Sequence, residues 1–375
     1  MPDLHALLSA SSSHRWLECP PSARLNDTAD DIASAYAAQG TDAHNLCEYK
    51  VLRAIGEKAK DPTDTLSYFD QEMADCTDSY AQYVSEQLSK ARERCKDPIV
   101  LVEQRFDFSK WVPQGFGTSD CVIVADDVLT VIDFKYGVGV LVEAEKNPQM
   151  MCYALGALQL LDGIYDINKI SMTIFQPRRE HISTYEIGKA ELLEWADTVL
   201  APMAQLAIRG EGEFKAGGHC RFCKVKATCR KRAEYNLELA KYDFEMPPTL
   251  DDDEVEIVLA KADELIAWCS DIKEYALQQA VNGKEWKEWK LVEGRSNRKY
   301  INEDVAAAIV QKAGYEPFEK KLLGVTAMTK LLGKAKFDEL LGEQIEKPQG
   351  KSTLVSITDK RPPMNTAADD FKEEK

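Results

Sequence analysis

The 375-residue chain contains no run of about eighteen apolar residues, so no membrane-spanning helix is expected. Its start, MPDLHALLSASSSHRWLECPP, lacks a positive charge followed by an apolar block. A secretory signal is therefore not expected, and the chain reads as cytoplasmic. A positive balance is missing too: 47 Lys and Arg face 63 Asp and Glu, for a net charge of −16. That argues against a protein that coats nucleic acid indiscriminately, though not against one locally basic groove. No internal repeat is visible. Ten cysteines in a cytoplasmic chain are not expected to form a disulfide framework. Cys47, Cys76, Cys95, Cys121, Cys152 and Cys269 are scattered through helix- or strand-like sequence, as small buried hydrophobes are.

What is present supports a sizeable core, with 44% hydrophobic residues. Apolar residues at three- and four-residue spacing predict helices over 30–58 and 70–95. PIVLVEQRFDF, TSDCVIVADD and VLTVIDFKY then read as three strands, the last two a hairpin. A helix over 147–161 opens on Asn-Pro, KISMTIFQP and HISTYEI return as strands, and 189–208 is helical again. Helices around a mixed sheet imply an α/β or α+β domain over 1–245. Pro247-Pro248 and an acidic run mark a boundary near 245. Beyond it, 246–343 reads as a smaller, mainly helical accessory region with a helix over 252–281 and a hairpin around 286–300. Residues 344–375 read as a loosely ordered tail.

Asp120 and Asp133 fall on adjacent strands, close enough for their carboxylates to converge on one cation. Lys135 projects on the same face as Asp133. Two carboxylates and a lysine suit metal-assisted phosphodiester hydrolysis: the acids hold Mg²⁺ or Mn²⁺, and the lysine orients water or stabilises phosphate charge. His44, four residues after Gly40, can add an imidazole ligand. Gln149 and Tyr153 share one face of the helix that follows.

In this order, Gly40 to His44, Gly117 to Asp120, Asp133 to Lys135 and Gln149 to Tyr153 resemble the RecB-like branch of the PD-(D/E)XK nucleases. The resemblance spans about residues 10–235. It implies a restriction-endonuclease-like mixed sheet flanked by helices. It also implies a DNA nuclease, most simply an exonuclease, with His44, Asp120, Asp133 and the Phe134 carbonyl on the metal. Lys135 would be the catalytic lysine, and Gln149 and Tyr153 would support the site or contact DNA. Glu103, on the first strand, matches an acidic position that either ligates the metal or supports a ligand.

GHCRFCKVKATCRKR adds Cys220, Cys223 and Cys229 in a C-x2-C-x5-C run that lacks a fourth cysteine nearby. One RecB-like subgroup, which includes CRISPR adaptation nucleases, carries a [4Fe–4S] cluster bound by one early cysteine and three late ones. Resemblance to it makes Cys19 the fourth ligand and the cluster a structural staple, with tetrahedral zinc as the competing occupant. From Lys215 to Arg232 there are seven Lys or Arg and no acid, a run that is either solvated surface or a track for the DNA backbone. Arg178 and Arg179 are weaker candidates for that second role. The whole chain also resembles an uncharacterised family encoded by bacteriophages and prophages. This implies a place in phage recombination or replication, with a single-strand annealing or recombination protein as a partner. Two rival readings are a catalytically inactive DNA-binding module and a zinc-stapled RNA nuclease.

Overall fold

The computed structural model describes residues 6–29, 35–161, 163–238, 250–293, 300–318 and 322–345. Contacts divide the chain into two units, Met1–Gln278 and Gln279–Lys375. The boundary expected near 245 and the tail beyond 345 lie outside the described residues.

The first unit is an α/β structure built on a five-stranded mixed sheet in sequential order. Strands β1 (Ile99–Asp107), β2 (Phe116–Ala125) and β3 (Val128–Phe134) are successively antiparallel. β4 (Lys169–Gln176) lies parallel to β3, and β5 (His181–Gly188) turns back antiparallel. A parallel pair needs a crossover, and the helix α5 (Pro148–Leu161) belongs to that connection. Helices cover both faces, so β2 and β3 are buried along most of their length and read as continuous apolar runs. β5, at the edge, alternates between half-buried and exposed.

Alternation along β2 divides two cores. Cys121 and Ile123 face the helical pair α3 (Ala35–Ala54) and α4 (Gln71–Arg94), while Val122 and Val124 join the core that includes α5. α4 starts at Asp70, whose carboxylate accepts from the Met73 amide at 2.7 Å. It then buries Met73, Thr77, Tyr80, Val84, Leu88 and Ala91 at helical spacing. α3 ends where Gly56 takes a left-handed φ of 93°. The helix expected over 189–208 forms as α6 (Lys189–Trp195), a π turn (Ala196–Leu200) and α7 (Ala201–Arg209). Pro202 explains the interruption, since it has no N–H to offer the preceding turn.

The N-terminal segment folds as α1 (Ser13–Glu18) and α2 (Ser22–Asp27), which pack on α7; α1 also meets α5. Arg24 Nε donates to the Ile208 carbonyl at 2.7 Å. After α8 (Arg230–Leu237) comes the long α9 (Asp252–Val281). In the second unit, α10 (Glu303–Lys312) is capped by Asn302, and α11 (Val325–Leu332) and α12 (Lys334–Leu341) follow. The hairpin expected around 286–300 has no strand over 286–293, and 294–299 lie outside the described residues. A hairpin with no sheet to join would be marginal in any case.

Gly156 is where α5 meets β1: a Cβ there would lie 2.6 Å from Phe106 Cβ and 3.2 Å from the Asp107 carbonyl. Gly156→Ala should therefore destabilise the protein by about 1–3 kcal/mol despite the better helix propensity of alanine. Urea denaturation measures this. An unchanged or raised midpoint would mean that the helix can back away at no cost.

Candidate metal centre and cysteine cavity

The β2–β3 ladder ends at the pair Cys121–Ile132, and one step further along stand Asp120 and Asp133. Both carboxylates are buried, with residue exposures of 8% and 2%. A charge placed there must be compensated. Asp120 Oδ1 meets His44 Nδ1 at 3.0 Å, and Asp120 Oδ2 accepts from the Phe134 amide at 2.6 Å. Asp133 Oδ2 faces Lys135 Nζ at 2.8 Å but has no well-aligned hydrogen bond. Gln149 links the remaining groups: its Oε1 accepts from Lys135 at 3.1 Å, and its Nε2 donates to Asp133 at 3.3 Å and to the Tyr153 hydroxyl at 3.0 Å.

These side chains are held from behind. His44 meets the Phe134 ring edge-on at 5.6 Å, Phe134 leans on Tyr80, and Tyr80 donates to the Ile132 carbonyl at 3.1 Å. Gly117 is required because a Cβ there would come within 2.9 Å of the Tyr153 ring. Gln176 was not anticipated from sequence. From the end of β4 it donates to the carbonyls of Gly137 and Val140, at 2.6 and 2.8 Å, and so fastens the loop that follows Lys135.

Glu103 completes the group. It faces Asp120 across β1–β2, where the ladder skips a pair, and its φ is +46°. A left-handed glutamate inside a strand is strained, and such strain concentrates at functional sites. Its Oε1 lies 4.0 Å from His44 Nδ1. His44, Glu103 and Asp120 each offer a ligand atom, and all three atoms lie within 4.8 Å of one another. An imidazole and two carboxylates suit Mn²⁺ or Mg²⁺. Phe134 meets this group through its amide, and Asp133 is turned toward Lys135 and Gln149.

Burial works against charge throughout the centre. At His44 it is outweighed by Asp120, and the imidazole pKa rises to about 9. Burial also opposes ionisation of Asp120, but His44, Lys135 and the Phe134 amide hold it below the usual carboxylate range. Burial raises Asp133; Lys135 opposes that rise and Asp120 adds to it. Burial and then Asp120 push Glu103 up to about 7. Burial would lower Lys135, yet Asp133 keeps it above its ordinary value.

Cys19, Cys220, Cys223 and Cys229 line one small enclosed cavity with Arg15 and Arg232. All ten cysteines are free thiols. Among the described residues, no three of them bring their sulfurs within 4.8 Å of one another. A single tetrahedral zinc, with Zn–S near 2.3 Å, would need thiolates about 3.8 Å apart.

The basic run beside this cavity is partly structural. Arg232 is buried and donates to Asp271 on α9 at 2.5 Å, and Lys226 pairs with the same carboxylate at 2.8 Å. Neither points freely at a phosphate. Arg178 is held by Glu72 at 3.1 Å, and Arg179 donates to the Val138 carbonyl. A cavity of about 710 Å³, lined by Leu17, Trp195, Val199 and Met203 among others, opens elsewhere in this unit. None of the carboxylates of the metal centre lines it.

Residues 5–362 match the model of a family described as "Protein of unknown function (DUF2800)". The chain belongs to the DUF2800 family. Among solved structures, a crystal structure of SSO0001 is 13% identical to this DUF2800 chain, with a TM-score of 0.23. The match covers 52% of this chain and 98% of that one. A superposition that loose carries no statement about shared fold. Among the described residues, no helix is long and apolar enough to cross a membrane.

The charge of His44 yields a pH prediction. In the metal-free protein the His44–Asp120 pair contributes its full stability below the ordinary histidine pKa of about 6.5 and loses it as pH rises through about 9. A cation must displace that proton. Mn²⁺ affinity should therefore climb steadily from pH 6.5 to 9, by up to about tenfold per unit, with proton release on binding. Calorimetry in buffers of different ionisation enthalpy measures both. A flat affinity without proton release would remove His44 from the ligand set.

Proposed function

We propose that this protein is a metal-dependent DNA nuclease of the RecB-like PD-(D/E)XK type, most simply an exonuclease acting in phage DNA recombination, replication or repair. The observation that carries the reading is the convergence of His44, Glu103, Asp120, Asp133, Lys135 and Gln149 at one end of the β2–β3 pair. The sheet order, with an antiparallel β1–β2–β3 meander followed by a helical crossover to β4, also supports a restriction-endonuclease-like core.

When bound, Mg²⁺ or Mn²⁺ supplies Lewis acidity toward a phosphate oxygen and a more acidic water. His44, Glu103 and Asp120 are the residues that would hold it, with Asp133 and the Phe134 carbonyl as the further donors implied by the motif. Asp133 also fixes Lys135 by direct ion pairing. Lys135 carries the positive charge that stabilises a phosphate as its own charge grows, and Gln149 fixes where that ammonium points. Tyr153 positions Gln149 in turn.

We read the four cysteines as the ligands of a structural [4Fe–4S] cluster, as the motif resemblance implies, with one zinc ion as the competing occupant. They line one common cavity, and a buried cation, Arg15, shares it. Arg221 and Arg230 of the same loop are exposed and supply positive charge for a DNA backbone to follow, and a phage annealing or recombination protein is the fitting partner. The bacterial host cytoplasm would be the compartment.

Asp133→Ala and Lys135→Ala should each reduce cleavage of end-labelled DNA in Mn²⁺ by about 10²-fold or more, with circular dichroism unchanged. Wild-type protein that binds DNA but never cuts it would make the chain an inactive binding module. Cleavage of RNA alone, in a paired trial with RNA and DNA of one sequence, would move it to the ribonucleases.

A further inference from the structure

Two polar residues that the nuclease motifs do not use meet the cysteine cavity: Arg15 lines it, and Asn26 reaches one of its cysteines from behind. Asn26, at the end of α2, is buried, and each part of its amide is engaged. Its Nδ2 donates to Cys223 Sγ at 3.2 Å and to the Ser22 carbonyl at 2.7 Å, while its Oδ1 accepts from the Lys224 amide at 2.7 Å. Arg15, 8% exposed, donates from Nη1 to the Ser22 carbonyl at 2.7 Å and to the Ser22 hydroxyl at 3.0 Å. No carboxylate lines this cavity. The groups beside Arg15 in this cavity that can carry negative charge are the sulfurs of Cys19, Cys220, Cys223 and Cys229.

Among the described residues no carboxylate pairs with Arg15, and a buried guanidinium without such a partner is costly; a side-chain amide donating to sulfur is an uncommon use of a strong donor. Both features make sense around a centre that carries net negative charge. Hydrogen bonds to sulfur, local net charge and solvent exclusion are the levers that set the potential of an iron–sulfur centre. Three of the four cysteines are under 9% exposed, so solvent does not mask the first two.

We propose that Asn26 and Arg15 are positioning residues that raise the reduction potential of the tetrathiolate centre by stabilising its more negative state. Asn26 acts through its N–H to Cys223, and Arg15 acts through its buried charge. This rests on the cluster reading above and adds to it a redox-tuning role for two residues outside the ligand set. A purely mechanical role is the rival, because Asn26 also ties the N-terminal segment to the cysteine loop.

Full-length protein purified without oxygen separates the two. Wild type should show broad absorption near about 400 nm with roughly four irons per chain. Asn26→Asp keeps the acceptor for the Lys224 amide but removes the donor to sulfur. It should retain iron and fold while shifting the midpoint potential downward in a spectroelectrochemical titration. Arg15→Gln should shift it in the same direction, and Arg15→Lys should restore most of the wild-type value. Iron-loaded variants with unchanged potentials would overturn the proposal and leave the cluster reading standing. Wild-type protein holding stoichiometric zinc, or no metal, would overturn both.

Discussion

Two carboxylates buried side by side at the end of a sheet constrain the rest of this structure. Neither Asp120 nor Asp133 can remain charged there unless other elements bring compensation to it. α3 brings His44, β3 brings the Phe134 amide and the residue that follows it, Lys135, and α5 brings Gln149. Each of these elements is anchored by its own apolar face in one of the two cores. The packing on either side of the sheet thus places its polar groups at a single point. Breaking one partner would leave an uncompensated charge in the interior, which costs more than the lost contact itself.

The same pair explains the strained backbone at Glu103. A strand with regular φ would pair Glu103 with Asp120 in the ladder and set two acids opposite each other. The left-handed residue departs from that backbone pairing and brings the glutamate to His44 as well as Asp120. The strain is tolerated because β1 remains paired with β2 on both sides of it. A third acid then shares the centre, within reach of both His44 and Asp120.

Much of this arrangement was legible in the sequence because strand alternation is a short-range rule. Asp120, Asp133 and Lys135 could be placed together from two adjacent apolar runs, and Gln149 with Tyr153 from helical spacing. The five strands and the mixed character of the sheet followed from the same periodicities. What could not be read depends on distant partners. Arg232 and Lys226 look like surface charges in a basic run, because nothing local announces Asp271 about forty residues later. Gln176 reads as the polar end of a strand until the loop after Lys135 folds back onto it. The interruption at Ala196–Leu200 left only Pro202 as a trace. Glu103 was visible as an acid in the right place, but its backbone conformation has no signature in sequence.

The contact between Asn26 and Cys223 joins residues 197 positions apart. During synthesis the first segment leaves the ribosome long before its partner exists. At roughly 5–20 residues per second, α2 waits about 10–40 s for the cysteine loop. Leu8, Ala10 and Trp16 can settle on α5 sooner, since that helix ends at Leu161. The carboxylate centre is likewise complete in sequence by Tyr153, before any of the three late cysteines is translated. The nascent chain can therefore assemble its charged centre first and close its N-terminal seam last. The cysteine loop would then close on a domain that already has its sheet.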